Sequence, residues 1–378
     1  MHFQPTEEQR MFRQAVRNFA AKELRPRARE IDELATFPVE LLPKMAGLGL
    51  LGMAIPDEYD GTEADAVSTS IAIEEIGRVC GSTGLSLAAH TGLGCFPITR
   101  WGTSTQKERW LPILAGGEAL GALCLTEPGA GSDLQAVKTR AVKNGASWVI
   151  NGAKAWITNP GLAQVLVVYL QTDPDEGARG YSMLLVETGR PGVTVHPKEK
   201  KMGVRGSPTQ QVSFDDVRVP LENLLGVEGR GLQQTLETLD GGRVSIGALA
   251  LGIAQGALEE AVAYAKERTA FGKSIASFQA IQWMLADADT EIEAARLLVY
   301  RAAWLKQQGV RYTREAAIAK LFATEMAERV TRNAIQILGS YGYSSEYPVE
   351  RMYRDARLMT IGEGTSEIQR LVIARQLL

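Results

Sequence analysis

A carboxylate held between two glycines is the sharpest chemical signal in this chain. Glu363 lies in the run Gly362-Glu363-Gly364-Thr365-Ser366-Glu367-Ile368-Gln369. Each glycine costs roughly 0.5–1 kcal/mol wherever regular structure could form, and it lets the backbone bend and a ligand approach closely. Ser366 and Gln369 read as a capping box that opens a final helix, with apolar residues at Ile368, Leu371, Val372 and Leu377. The carboxylate then falls on a loop just before a helix N-terminus. Backbone N–H groups there can hydrogen-bond an anionic intermediate, which suits a general base. Read alone, the same segment also describes a solvated glutamate in a surface turn.

Four further segments carry possible chemistry, each with a plainer reading beside it. Thr126-Glu127-Pro128-Gly129-Ala130-Gly131-Ser132-Asp133 ends an expected strand and can present consecutive N–H groups to a phosphate or a flavin edge. It also fits an ordinary polar turn. Trp156-Ile157-Thr158-Asn159-Pro160 pairs an aromatic face with a hydroxyl, although a core tryptophan is commoner. Arg268, followed by Phe271-Gly272-Lys273 and Gln279, can meet a pyrophosphate or simply complement a helix C-terminus. Asp240-Gly241-Gly242-Arg243 places two glycines inside an expected helix, at about 1 kcal/mol each relative to Ala. Close approach by another segment or a ligand explains them, and so does a kink. Gly47-Leu48-Gly49-Leu50-Leu51-Gly52 matches a dinucleotide fingerprint, but it follows a helix rather than a strand and reads as a helix end.

Composition excludes several classes. The chain has 378 residues, 45% hydrophobic and 22% charged, with a formal net charge of −3. That is ordinary for a soluble globular protein with two or three domains and argues against a nucleic-acid partner. Three cysteines and three scattered histidines leave little material for a disulfide framework, a metal site or a Ser-His-Asp triad. The longest apolar stretch, about 244–258, is shorter than the roughly 20 residues a bilayer span needs and reads as a buried helix. The first residues contain no apolar leader segment. The expectation is a cytoplasmic, bacterial-type protein or a mature organellar form.

The pattern along the chain divides into three. Residues 1–118 read as a helical domain, with helices over 6–24, 38–45, 66–80 and 104–114. Residues 119–225 change to period two, with strands expected over 119–126, 138–143, 147–150, 164–171, 181–187, 193–196 and 210–219. Asn144-Gly145 and Asn151-Gly152 are tight-turn signals. No helix-length segment separates the strands, so the sheet should be antiparallel and closed into a barrel. Residues 226–378 return to helical period, predicting a bundle from helices over 232–269, 278–308, 313–338, 348–358 and the final one.

Together these segments resemble the acyl-CoA dehydrogenase flavoproteins along essentially the whole chain. The matching runs continue through Gln336-Ile337-Leu338-Gly339-Ser340-Tyr341-Gly342, Tyr347-Pro348-Val349-Glu350-Arg351 and Arg354-Asp355 to Glu363-Gly364-Thr365. The resemblance implies the same order of helical domain, β-barrel and four-helix bundle. It implies FAD as cofactor, a homotetramer or homodimer, and electron-transfer flavoprotein as the electron acceptor. By resemblance, Leu123, Leu125, Thr126, Gly131 and Ser132 line the flavin, with Trp156 and Thr158 against its ring. Arg268, Phe271, Gln279, Gln336, Gly339 and Ser340 contact phosphates and adenine, some of them on a neighbouring subunit's cofactor. Thr365 and Glu367 match positions near the ribose and pyrophosphate. Ser132, Asp240, Arg243 and Gly364 match substrate positions.

Glu363 then removes the α-proton of an acyl-CoA while the β-hydride passes to flavin, giving a trans-2-enoyl-CoA. Some family branches carry the base on the long helix near Gly242, where glycine cannot serve. Gly362 stands where many relatives have an aromatic residue, which leaves chain length open among short, medium and branched acyl groups. An oxidase, a decarboxylating relative and a catalytically silent flavin-binding paralogue are the alternatives.

Overall fold

The computed structural model describes residues 4–378. The chain opens on a true capping box, Thr6 with Gln9, which starts α1 (Glu7–Phe19). A π-helical turn extends it to Leu24. Five short and medium helices follow: α2 (Ala28–Glu33), α3 (Leu42–Gly47), α4 (Ala66–Gly77), α5 (Gly81–Ala89) and α6 (Phe96–Trp101). The last of the region, α7 (Ser104–Ala115), has a second capping box, Thr103 with Gln106. The fingerprint at Gly47 is indeed a helix end: Gly49 has φ +76° and the Leu50 N–H donates to the Met45 carbonyl.

Sequence reading missed the run 81–101, which is helical throughout, with a π-turn over His90–Cys95 joining α5 to α6. Its residues are Gly-, Ser- and Thr-rich, and 81–92 are buried on every side, so this stretch shows neither helix propensity nor an apolar stripe.

The middle region forms one seven-stranded curled sheet. Its strands are β1 (Ala122–Cys124), β2 (Arg140–Asn144), β3 (Ser147–Thr158), β4 (Val165–Gln171), β5 (Tyr181–Glu187), β6 (Val193–Lys198) and β7 (Thr209–Pro220). Most pairs are antiparallel, but β1 joins β4 in parallel, through Ala122–Leu166 to Cys124–Val168. This corrects the all-antiparallel expectation. The intervening β2–β3 hairpin supplies the long connection that a parallel pair needs. Along β4, Leu166, Val168 and Leu170 fill the interior of the curled sheet, whereas Val165 and Val167 pack on Ile98, Leu111 and Leu114 of the helical region. Both faces are buried, which is why β4 reads as a continuous apolar run.

The C-terminal helices are α8 (Gly231–Glu267), α9 (Gln279–Gln307), α10 (Thr313–Leu338), α11 (Pro348–Met359) and α12 (Ser366–Leu377). A hairpin of β8 (Thr269–Ala270) and β9 (Lys273–Ser274) joins α8 to α9. By length and hydropathy α8 could cross a bilayer, but 72% of its apolar window is buried inside the protein. It is the central core helix. Its glycines let α4 approach: a Cβ at Gly252 would lie 2.1 Å from the Glu74 carbonyl oxygen. One hydrophobic core therefore runs from the N-terminal helices into the bundle. Glu74 strengthens that junction, accepting from Arg296 of α9.

Candidate active site

The base candidate is built by a turn between two helices. After α11, the N–H groups of Ile361 and Gly362 both donate to the Leu358 carbonyl. Glu363 and Gly364 then take left-handed conformations, with φ +56° and +89°. The cap of α12 is Thr365, whose hydroxyl accepts from the Ile368 N–H. The expected Ser366–Gln369 box is therefore wrong by one residue. Gln369 instead turns its amide back, donating to the carbonyls of Glu363 (3.3 Å) and Gly364 (2.8 Å). Lys320 of α10 donates to the same Gly364 carbonyl at 2.7 Å.

This turn presses the glutamate against α8. A Cβ at Gly242 would sit 2.0 Å from Glu363 Oε2, so only glycine leaves room for the carboxylate. The pair of helix glycines thus marks a close approach rather than a kink. As a residue Glu363 is half-buried, but its Oε2 is shut off from solvent and has no hydrogen-bond partner. Burial pushes its pKa up to about 7, with Lys320 and Arg243 pulling the other way. An orphaned carboxylate oxygen is rare in folded proteins and invites a functional account.

Asp240 and Arg243 flank the same point of α8, joined by an ion pair. Thr313 also donates to Asp240, at 2.6 Å. Arg243 is buried and its Nε is unpartnered. Leu93, in the helical run that sequence reading missed, comes within 3.3 Å of the same Gly242 Cβ position. Neither Leu93 nor Lys320 was anticipated. Lys320 carried a signal, since a lysine at a buried helix position seldom lacks a purpose.

The two strand-end motifs do meet. Register shifts in the β3–β7 pairing place a bulge between Lys154 and Ile157. The bulge gives Trp156 a φ of +60° and turns it out, 60% exposed. Within it the Ala155 N–H donates to the Thr126 carbonyl at 2.8 Å, tying the Thr126–Ser132 loop to Trp156 and Thr158. Leu123 and Leu125 lead into that loop from β1. Beneath it lies a buried ion pair. Lys154 donates to Glu127 Oε1 and to the Leu125 carbonyl, both at 3.0 Å, while Glu127 accepts from the Lys138 and Thr139 N–H groups. Burial lowers the Lys154 pKa to about 8 against the pull of Glu127. The Gly-x-Gly turn itself is open: a Cβ at Gly129 or Gly131 would meet nothing within 4 Å.

The remaining candidates stand elsewhere in the single chain. Arg268 caps the C-terminus of α8, 26 residues beyond Gly242 and so about 39 Å along the helix. Phe271 is 95% exposed at the hairpin tip, and Gln279 begins α9. Arg268 lies over the Tyr341 ring, 5.9 Å from its centre, which brings it beside Gln336, Gly339 and Ser340 at the far end of α10. Thr365 and Glu367 border an open cleft of about 650 Å³, shared with Arg329, Arg332, Arg357 and Tyr353.

Known proteins match this arrangement throughout. The acyl-CoA dehydrogenase N-terminal, middle and C-terminal domains match residues 6–118, 122–217 and 229–378. The chain belongs to the acyl-CoA dehydrogenase family. It is 49% identical to the short-chain-specific acyl-CoA dehydrogenase of Clostridium acetobutylicum, over 99% of each chain. Butyryl-CoA dehydrogenase from Megasphaera elsdenii superposes with a TM-score of 0.97 at 43% identity, covering 100% of both chains. A chain from structural work on the electron-transferring flavoprotein of Acidaminococcus fermentans and flavin-based electron bifurcation superposes at 0.98, with 45% identity and full coverage of both.

Proposed function

We propose that this protein dehydrogenates short-chain acyl-CoA thioesters with FAD as cofactor, Glu363 acting as the base. The observation that carries this reading is the buried, unpartnered Glu363 Oε2 held against Gly242. The short-chain assignment follows the names of the Clostridium and Megasphaera relatives.

The residues present fit a planar cofactor. Trp156 offers an exposed ring, and the open Gly129–Gly131 turn offers unobstructed backbone beside it. Leu123, Leu125, Thr126, Ser132, Trp156 and Thr158 would hold the ring system, and Thr365 and Glu367 the ribose and phosphate end. FAD, when bound, accepts the β-hydride of the substrate.

The chain's own part is proton transfer and positioning. An α-C–H of a thioester is a weak acid, so its base must have a pKa near working pH. Burial gives Glu363 that property. Its carboxylate takes the α-proton as the C–H bond breaks, leaving a trans double bond in the product. The Glu363 N–H would donate to the thioester oxygen as negative charge grows there, a role supported by its place in a left-handed turn ahead of α12. Asp240 and Arg243, beside the base on α8, would contact the substrate.

Arg268, Phe271, Gln279, Gln336, Gly339 and Ser340 cannot reach this site within one chain. We infer that they complete the cofactor site of a second copy in a homodimer or homotetramer. The exposed Phe271 and Trp283, 95% and 63%, support that surface being covered. The electron acceptor is an electron-transferring flavoprotein, a reading supported by the Acidaminococcus neighbour.

The test is a visible spectrum of the purified protein followed by anaerobic titration with butyryl-, octanoyl- and isovaleryl-CoA. Flavin absorbance should bleach most readily with butyryl-CoA and fail to bleach in Glu363→Gln. A yellow protein that no acyl-CoA bleaches would sink the reaction while leaving the cofactor.

A further inference from the structure

Lys320 lies beneath the base and takes no part in the steps above. It is fully buried on α10, where the neighbouring inward residues Ala316, Ala317, Ala319 and Ala323 are all small and apolar. A methionine would fill such a position without the large penalty of burying a charge. Lys320 forms no ion pair among the described residues. Its ammonium spends one hydrogen bond on the Gly364 carbonyl, the residue that follows the base.

We propose that Lys320 is a positioning residue for the base: it ties down the Glu363–Gly364 turn and places an uncommitted positive charge beneath the Glu363 carboxylate. This rests on Glu363 being the base. The charged groups around the turn single out Lys320. From α8, Arg243 faces Glu363 but is already paired with Asp240. From α10, Glu325 is paired with Arg370 of α12. From α12, Glu367 is exposed. From α9, Lys306 also has no carboxylate partner, but it lies beside Gly241 and over the Phe96 ring rather than against the turn. Of the two cations that act on the Glu363 carboxylate, Lys320 is the one without a carboxylate of its own. Two shifts agree with this. Lys320 is the largest influence opposing the burial of ionised Glu363, and Glu363 is the largest opposing the burial of charged Lys320, whose pKa falls to about 8.

Charge and tether can be separated. Lys320→Met removes both, Lys320→Gln keeps a donor without the charge, and Gln369→Leu removes a neighbouring tether without touching charge. Losing the cation raises the pKa of Glu363, so the ionised fraction at a given pH falls. In both Lys320 variants the Glu363 pKa should rise by about one unit, and kcat/KM below pH 7 should fall about tenfold. Gln369→Leu should lower kcat and leave the pKa where it is. Infrared difference titration of the carboxyl band missing from Glu363→Gln reads the same pKa without turnover, in holoprotein. It therefore decides the role of Lys320 even if no acyl-CoA proves to be a substrate. Unchanged Glu363 titration in whichever Lys320 variant folds would overturn the proposal, as would an equal shift in Gln369→Leu.

Discussion

Gly242→Ala separates activity from stability. The added Cβ would lie 2.0 Å from Glu363 Oε2 and 2.9 Å from its Cδ, where ordinary contact begins at 3.4 Å. Leu93 closes another side at 3.3 Å. The helix backbone cannot yield, because α8 is packed along its length in the common core. The carboxylate must move by about 1.4 Å, and a misplacement of about 1 Å costs on the order of 10²-fold in rate. Replacing a helix-interior glycine by alanine meanwhile gains up to about 1 kcal/mol in helix propensity. The rotation that frees the carboxylate breaks no hydrogen bond, since Oε2 has none. The variant should therefore keep its flavin and its Tm and lose about two orders of magnitude in kcat with butyryl-CoA. Steady-state turnover beside thermal unfolding, followed by flavin release, checks both. A kcat within threefold of the parent would refute the geometry. A large fall in Tm would refute the claim that the loss is confined to the base.

Glu363 has a folded pKa of about 7 against an ordinary 4.5, so the folded state holds its proton longer and stability falls as pH rises from 4.5 to 7. Allowing for partial solvent screening, Glu363→Gln should be more stable than the parent by about 1–2 kcal/mol at pH 8 and equal to it near pH 4.5, by denaturant titration. In the parent, kcat/KM should rise through about pH 7 and level above it. His90 behaves in the opposite sense. It is buried, accepts the Gly121 N–H at 2.8 Å and donates to the Leu51 carbonyl at 2.9 Å, and burial lowers its pKa to about 4. Stability should be lost as pH falls from about 6.5 to about 4, a slope that flattens in His90→Gln. Lys154→Met strands Glu127 beneath the Thr126–Ser132 loop; it should cost about 3–5 kcal/mol by denaturant titration and lower flavin content on purification.

Much of this fold was legible because its signals are local. The long helices of the bundle carry apolar residues at helical spacing, and Tyr181–Glu187 came out with the observed bounds. The region 81–101 was not legible, because its first half, 81–92, is buried all round and has no polar face to reveal its period. The parallel β1–β4 pair was equally hidden, since period two says nothing about direction. At the site, the glycine pair at 241–242 left a close approach and a kink both open, and only the fold decides for the approach. Glu363 lies 121 residues beyond Gly242, and only packing brings the two together.

Backbone strain shows why the site resists a purely sequence-based reading. Among the described residues nine non-glycine positions have positive φ, and Trp156, Asn159, Phe271 and Glu363 among them fall in the segments singled out for chemistry. Such conformations cost of order 1–3 kcal/mol each and survive only where surrounding structure imposes them. Asn159 is a residue type that tolerates them; Trp, Phe and Glu give no such warning. For Glu363 the imposing contacts are visible: Gln369 on one side, Lys320 below, and the bare backbone of Gly242 opposite. A glutamate in a relaxed loop would turn its carboxylate to water, and its pKa would return towards 4.5. The strained turn keeps the carboxylate dry, and dryness makes it a base at neutral pH. The position and the chemistry of Glu363 thus have one cause, which explains why both should fail together when Gly242 is filled.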